Sequence, residues 1–276
     1  MKKWYQQGDI MLGVAVIAVV AMLIVPLPAL LLDFLLAISI MISIVALLTA
    51  MFNREIADFS VFPTLLLVST VYRLALNVSS TRLILAKGPA FEGQLIRAFG
   101  EFVVGGNYVI GFVVFIILVL VQMMVITKGA TRISEVSARF ALDALPGRQM
   151  AIEADMTSGR VTEEEGRRRN ENLRREVDFY GQMDGATKFV QGDVRVGLII
   201  TTINVIGGLI IGMAMRGESL QTALKTYTLL TIGDGLVAQI PSLLITVATG
   251  MVVTRAGAKN DLTTELSSQM FQNARA

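Results

Sequence analysis

Long apolar blocks alternate with short polar joints along this chain, and one polar segment is far longer than the rest. An apolar block of about 20 residues is what a helix rising 1.5 Å per residue needs to cross a bilayer core. The pattern predicts an α-helical integral membrane protein with six transmembrane helices. The first runs from Ile10 to about Val25, where Pro26 and Pro28 interrupt it, and the second from Phe34 to Phe52. Only a very short turn separates them. Asp33 is expected to cap the second block, with ion binding as the alternative. Asn53 to Asp58 is a polar turn, and the third span begins near Pro63, where a missing N–H is tolerated, and runs to about Leu76. Residues 78–101 are too polar to span and too apolar to hang free, which predicts a surface or re-entrant piece. The fourth span is Phe102 to Thr127, the fifth Val196 to Met215, and the sixth runs from Ile232 to Thr254 after an outer loop at Arg216 to Leu230. Gly208 and Gly212 suit close helix contact in the fifth, and Pro241 is expected to kink the sixth.

Between spans four and five lie the 68 residues from Lys128 to Arg195, which hold 12 of the 24 Lys and Arg together with 12 Asp and Glu. A charge at mid-bilayer costs roughly 2.5 kcal/mol or more, so this segment is a mainly helical insertion outside the hydrocarbon. Thr162 and Glu165 form a capping box, and Glu163, Glu164, Glu165 and Glu171 each precede an arginine by four residues. A helix over 163–179 follows. Its apolar stripe, Leu173, Val177 and Tyr180, is narrow and needs a partner surface, which marks these three as inter-subunit candidates. Leu145 to Arg148 is read as a turn and Gly181 to Asp193 as irregular.

Charges that remain near the apolar blocks are the candidate functional residues. Arg73 and Arg82 are nine residues apart, on opposite faces of a continuous helix at about 100° per residue. Either the helix breaks near Asn77 to Ser80, or one arginine snorkels while the other faces protein. Asp193, with Lys188 before it and Arg195 after it, sits where the insertion becomes the fifth span: it is a coupling residue or an anchor paired with Arg195. Asp234, between Gly233 and Gly235, is either an acid at a helix N-terminus or an ion-binding carboxylate. Short-loop positive charge, ten residues against five, places the N-terminus and the insertion in the cytoplasm.

Composition narrows the chemistry further. The chain is 54% hydrophobic, outside the soluble range, with neither Cys nor His, so any proton path must use Asp, Glu, Lys or water. A net charge of +2 does not argue for nucleic acid, since Arg167 to Arg169 follow Glu163 to Glu165. The sequence carries no nucleotide loop, metal cluster or catalytic triad; no enzyme activity, cofactor or metal is expected. An intramembrane aspartyl protease would need a second Asp within a span, and a secondary transporter, the less favoured alternative, would show repeated halves.

The run RISEVSARFALDALPGRQMAIEAD, Arg132 to Asp155, resembles the signature of the FHIPEP family, the large inner-membrane export-gate component of type III secretion systems. Matching flanks are FSVFPTLLLVSTVYRLALNVSSTRLIL from Phe59, FGEFVVGGNYVIG from Phe99, YGQMDGATKFVQGD from Tyr180 and TYTLLTIGDGLVAQIPSLL from Thr226. Arg148 and Glu153 stand where members commonly carry Lys and Asp, and Gln191 where many carry Arg. The wording is similar to the flagellar branch more than to the virulence branch. The resemblance implies signature positions at Arg132, Glu135, Arg139, Asp143, Pro146, Gly147, Arg148, Gln149 and Asp155. It also implies that Arg73, Arg82, Lys188, Asp193 and Asp234 serve export, driven by proton-motive force or ion flow. Implied partners are further copies in a homo-oligomeric, nonameric ring, other export-gate membrane proteins and the lipid bilayer. Members continue beyond a segment similar to 255–276 into two more spans and a cytosolic domain, through which the export ATPase complex, chaperones and substrates would be met.

Overall fold

The computed structural model describes residues 2–52 and 60–254, with side chains from residue 13 onward except those of 125 and 126. The turn expected at 53–58 lies outside the described residues. Eight α-helices and no strand occur among the described residues: α1 (Lys2–Ile24), α2 (Ala29–Phe52), α3 (Phe62–Lys87), α4 (Gln94–Val104), α5 (Tyr108–Val121), α6 (Lys128–Thr157), α7 (Glu163–Ile210) and α8 (Leu220–Thr254). Within those residues five helices are long and apolar enough to cross a membrane, and Gly13–Ile24 is a shorter apolar one. The helical class follows from the sequence, since each long apolar block must satisfy its own backbone N–H and C=O groups in lipid.

α8 is the centre of the packing. One apolar cluster gathers Ala46, Phe62, Leu66, Ala138, Tyr180 and Met183 around its Ile245 and Ala248. A second holds Leu32, Leu76, Ile84 and Ile96 against Tyr227 and Leu230, and a third places Phe115 and Val119 on Ile232 and Leu236. α4, read from sequence as a surface or re-entrant piece, is pressed backbone to backbone on this helix: a Cβ on Gly233 would collide with the Ile96 carbonyl, and one on Gly100 with the Leu229 carbonyl. The fourth span therefore begins at Tyr108 and not at Phe102. Gly105 and Gly106 break the chain there with φ of +51° and +87°, and the Asn107 side chain caps α5 by accepting from Val109 N at 3.1 Å and Ile110 N at 3.3 Å.

Several joints are shorter than their composition suggested. α3 continues past Leu76 through Asn77 to Ser80 without a break, and α8 starts at Leu220, which shrinks the outer loop to a few residues. α2 begins four residues before Asp33, so the carboxylate does not cap α2. It accepts from Gln94 N at 2.7 Å and Leu95 N at 3.3 Å and caps α4 instead.

The polar insertion is a two-helix hairpin. α5 passes through a π-helical turn, Gln122–Thr127, directly into α6, and α6 runs through Pro146, so the expected turn at Leu145 to Arg148 does not form. α7 is likewise unbroken across Gly181 to Asp193. Each glycine there costs up to about 1 kcal/mol relative to Ala, and the burial of Met183, Ala186 and Val190 offsets it. Leu173, Val177 and Tyr180 are only 6%, 9% and 6% exposed within a single chain. Their face of α7 also carries Gly166, against which Met156 of α6 packs, so α6 supplies the surface that an adjacent subunit was expected to provide.

Candidate functional site

Between the apolar clusters on α8 lies a polar layer built from α3, α7, α8 and the π-helical turn that follows α5. Arg73, midway along α3, points Nη2 at Asp193 Oδ2 of α7, 2.8 Å away, with the two side chains 2% and 6% exposed. Of the two alternatives for the arginines, a continuous helix with one facing protein and one at an edge is what forms. Arg82 donates to the carbonyls of Leu23 at 3.1 Å and Ile24 at 2.6 Å, closing the C-terminal end of α1. The Asp193 partner is thus Arg73 and not Arg195, which is exposed beside it. Neither Asp193 Oδ1 nor Arg73 Nε and Nη1 has a hydrogen-bond partner in the structure.

Asp234 sits well inside α8, about four turns from its start, and is 6% exposed. No helix N-terminus is near enough along its own chain to account for the acid. Asn204 Nδ2 of α7 donates to its Oδ2 at 3.2 Å, while Ser80 Oγ of α3 donates to the Asn77 carbonyl at 3.0 Å. The two flanking glycines have a structural cause: Gly233 admits the α4 backbone and Gly235 admits the Phe115 ring of α5, and a Cβ on either would collide.

One cavity of about 50 Å³ joins the two carboxylates, lined by Asn77, Gln122, Asp193, Asp234, Gln239 and Ser242 among others. That volume holds a few water molecules. With both carboxylates ionised the layer carries one positive and two negative charges, a net charge of −1 that a proton or a monovalent cation would neutralise. Among the described residues no group of three or more His, Cys, Asp or Glu could hold a metal ion.

The remaining sequence-predicted residues lie elsewhere. Lys188 pairs with Asp184 at 2.7 Å and not with Asp193. The signature residues lie along α6: Arg132 pairs with Glu135 at 2.9 Å, Arg139 approaches Asp143 at 4.0 Å, Arg148 reaches Glu176 of α7 at 3.0 Å, and Asp155 meets Arg160 at 3.4 Å and Arg169 at 3.6 Å. Pro146 and Gly147 are exposed and Gln149 is half-buried, in the same stretch. Sequence reasoning named both acids and Arg73 but missed Asn204, Asn77 and Gln122. The available signal was an amide side chain inside an apolar block, which hydrocarbon does not accommodate.

The FHIPEP family pattern matches residues 19–276 of the chain. Flagellar biosynthesis protein FlhA of Borreliella burgdorferi is 54% identical over 267 residues, covering 95% of this chain and 38% of that protein. Its counterparts in Salmonella typhimurium, at 51% over 273 residues, and Bacillus subtilis, at 52% over 263, cover 98% and 95% of this chain and 40% and 39% of those proteins. The chain therefore spans about two fifths of the length of the curated relatives it matches. No solved structure matches it significantly. With its family pattern running from the first apolar block to the last residue and half of its positions shared with each of these relatives, the chain belongs to the FHIPEP family.

Proposed function

We propose that this chain is membrane-embedded machinery of a flagellar type III protein export gate, which uses proton-motive force or ion flow to drive protein substrates outward. It is a multi-pass protein of the bacterial inner membrane. The α6–α7 hairpin projects into the cytoplasm, copies assemble into a ring with other gate proteins, and the remaining length of the relatives meets the ATPase complex, chaperones and substrates. The flagellar biosynthesis proteins that are about half identical support the system. Positive-charge asymmetry supports the orientation.

One observation carries the coupling role: Asp193 is buried at the joint between hairpin and span, held by Arg73, and opens onto the cavity that Asp234 shares. A residue in that place feels both an ion in the cavity and a movement of the hairpin. A structural anchor would explain the ion pair but not the cavity that Asp193 shares with Asp234.

The test is Asp193→Asn in the full-length protein, with membrane abundance and flagellar secretion measured in the same cells. Secretion should fall at least tenfold at near-normal abundance. Secretion that falls only in proportion to abundance removes Asp193 from the coupling path. Accessibility of cysteines introduced at Gly159 and Arg168 to an impermeant thiol reagent tests the orientation, and reaction from outside intact cells would reverse it.

A further inference from the structure

We propose that Asn204 is the positioning residue of the inner carboxylate: from behind the cavity wall its amide donates to Asp234 and fixes the orientation in which that carboxylate faces the cavity. Asn204 is 0% exposed, on the apolar part of α7, where an amide has no reason to be unless something holds it. Its Nδ2 lies 3.2 Å from Asp234 Oδ2. The opposite amide orientation would set a carbonyl oxygen against a carboxylate oxygen, so the chemistry assigns the nitrogen to the contact. The carbonyl end, Oδ1, is buried without a partner, as is Oγ of Ser242, a cavity-lining residue on the same helix as Asp234.

The residues around Asp234 divide into those that shape its surroundings and those that hold its oxygens. Gly233 and Gly235 shape, by admitting α4 and α5. Asn204 holds, from the helix that also carries Asp193. A lengthwise shift of α7 on α8 would therefore reposition the Asn204 amide and Asp193 together, because both ride on one unbroken helix. This role rests on the coupling reading above and adds a residue and a geometry to it.

A reciprocal exchange tests it in the full-length protein. Asp234→Asn alone removes the carboxylate and Asn204→Asp alone sets two carboxylates together; each should lower secretion per molecule about tenfold, the size expected for a lost hydrogen bond to a charged group. The exchange N204D with D234N keeps one carboxylate and one amide across the same contact and should recover at least half of the wild-type rate. Asn204→Ala should fall about tenfold, and Asn204→Ser, which retains a donor, should fall less. An exchange no better than Asp234→Asn alone, or Asn204→Ala secreting at the wild-type rate per molecule, overturns the proposal. Failure of both Asn204→Ala and Asn204→Ser to accumulate overturns it too, since Asn204 is then only a packing residue. Asp193→Asn run in parallel separates the two readings: loss of secretion there together with a wild-type Asn204→Ala rejects the positioning role alone, and normal secretion there rejects the coupling reading.

Discussion

Along the α6–α7 hairpin the arginines and carboxylates pair on the outside of the helices: Arg167 with Glu163 at 3.0 Å and Arg175 with Glu171 at 2.9 Å, both well exposed, and Arg148 with Glu176 at 3.0 Å, where the glutamate is half-buried. Where α3, α7 and α8 meet, Arg73 and Asp193 make a contact of similar length, 2.8 Å, buried away from bulk solvent. Distance is nearly the same and consequence is not. Water screens the outer pairs to about 0–1 kcal/mol each, whereas removal of one partner from a buried pair strands the other charge at a cost of about 3–5 kcal/mol. The outer pairs give helix register and solubility, and the inner pair is the one whose disturbance can be transmitted.

The largest effect expected from this contrast belongs to Arg73→Leu. It should destabilise the purified protein in detergent by about 3–5 kcal/mol, read by thermal or chemical unfolding. The double variant R73L with D193L should regain most of that stability while secretion stays absent. A double variant as unstable as the single would mean that the pair is not what Arg73→Leu disrupts. Next is Gly233→Ala, which drives a methyl into the Ile96 carbonyl. A loss of about 1–3 kcal/mol is expected, with faster hydrogen exchange in α4 and little change in the hairpin. Unchanged α4 protection would show that the α4–α8 contact can give way.

Smaller again is Arg148→Ala, the hairpin counterpart of Arg73→Leu, which should cost no more than about 1 kcal/mol and lose even that at high salt. A larger, salt-insensitive loss would break the contrast between the regions. The smallest effect concerns Glu165, near the free end of α7 and away from the apolar spans. Hydrogen bonding to Arg169, helped by Arg168, holds its carboxyl below the ordinary glutamate range. A depressed folded-state pKa adds stability above the unfolded value and loses it as pH falls through the folded one. Exchange protection over 162–169 should therefore weaken only on the acid side of the ordinary glutamate range, and Glu165→Gln should abolish that dependence.

Much of this arrangement was legible because bilayer length and charge cost are severe constraints. Each of the last five apolar blocks became a helix long enough to cross, and Thr162 does start α7, its hydroxyl accepting from Glu165 N at 3.3 Å, although the Glu165 carboxylate pairs with Arg168 and Arg169 and does not complete the capping box. Arg73, Asp193 and Asp234 stood out as charges too near hydrocarbon to be decoration. What the sequence hid were partners across helices. Asp33 reads as a cap for the block it precedes, yet it serves α4 some sixty residues later in the chain. Pro146 and the glycines of 181–192 are local signals for turns, and long antiparallel packing of α6 on α7 overrides them. Asn204 needed the position of Asp234, 30 residues on, before its amide had a purpose.

An unbroken α7 also has a mechanical side. From Glu163 to Asp193 the helix rises 30 residues, roughly 45 Å at 1.5 Å per residue, with no joint to absorb bending. A tilt of about 5° pivoting near Asp193 carries the far end through about 4 Å, most of one helical turn. Run the other way, the same rod reduces a large push on the hairpin tip to a displacement of tenths of an ångström at the buried pair. Its geometry is that of a lever with the fulcrum beside the Arg73–Asp193 pair.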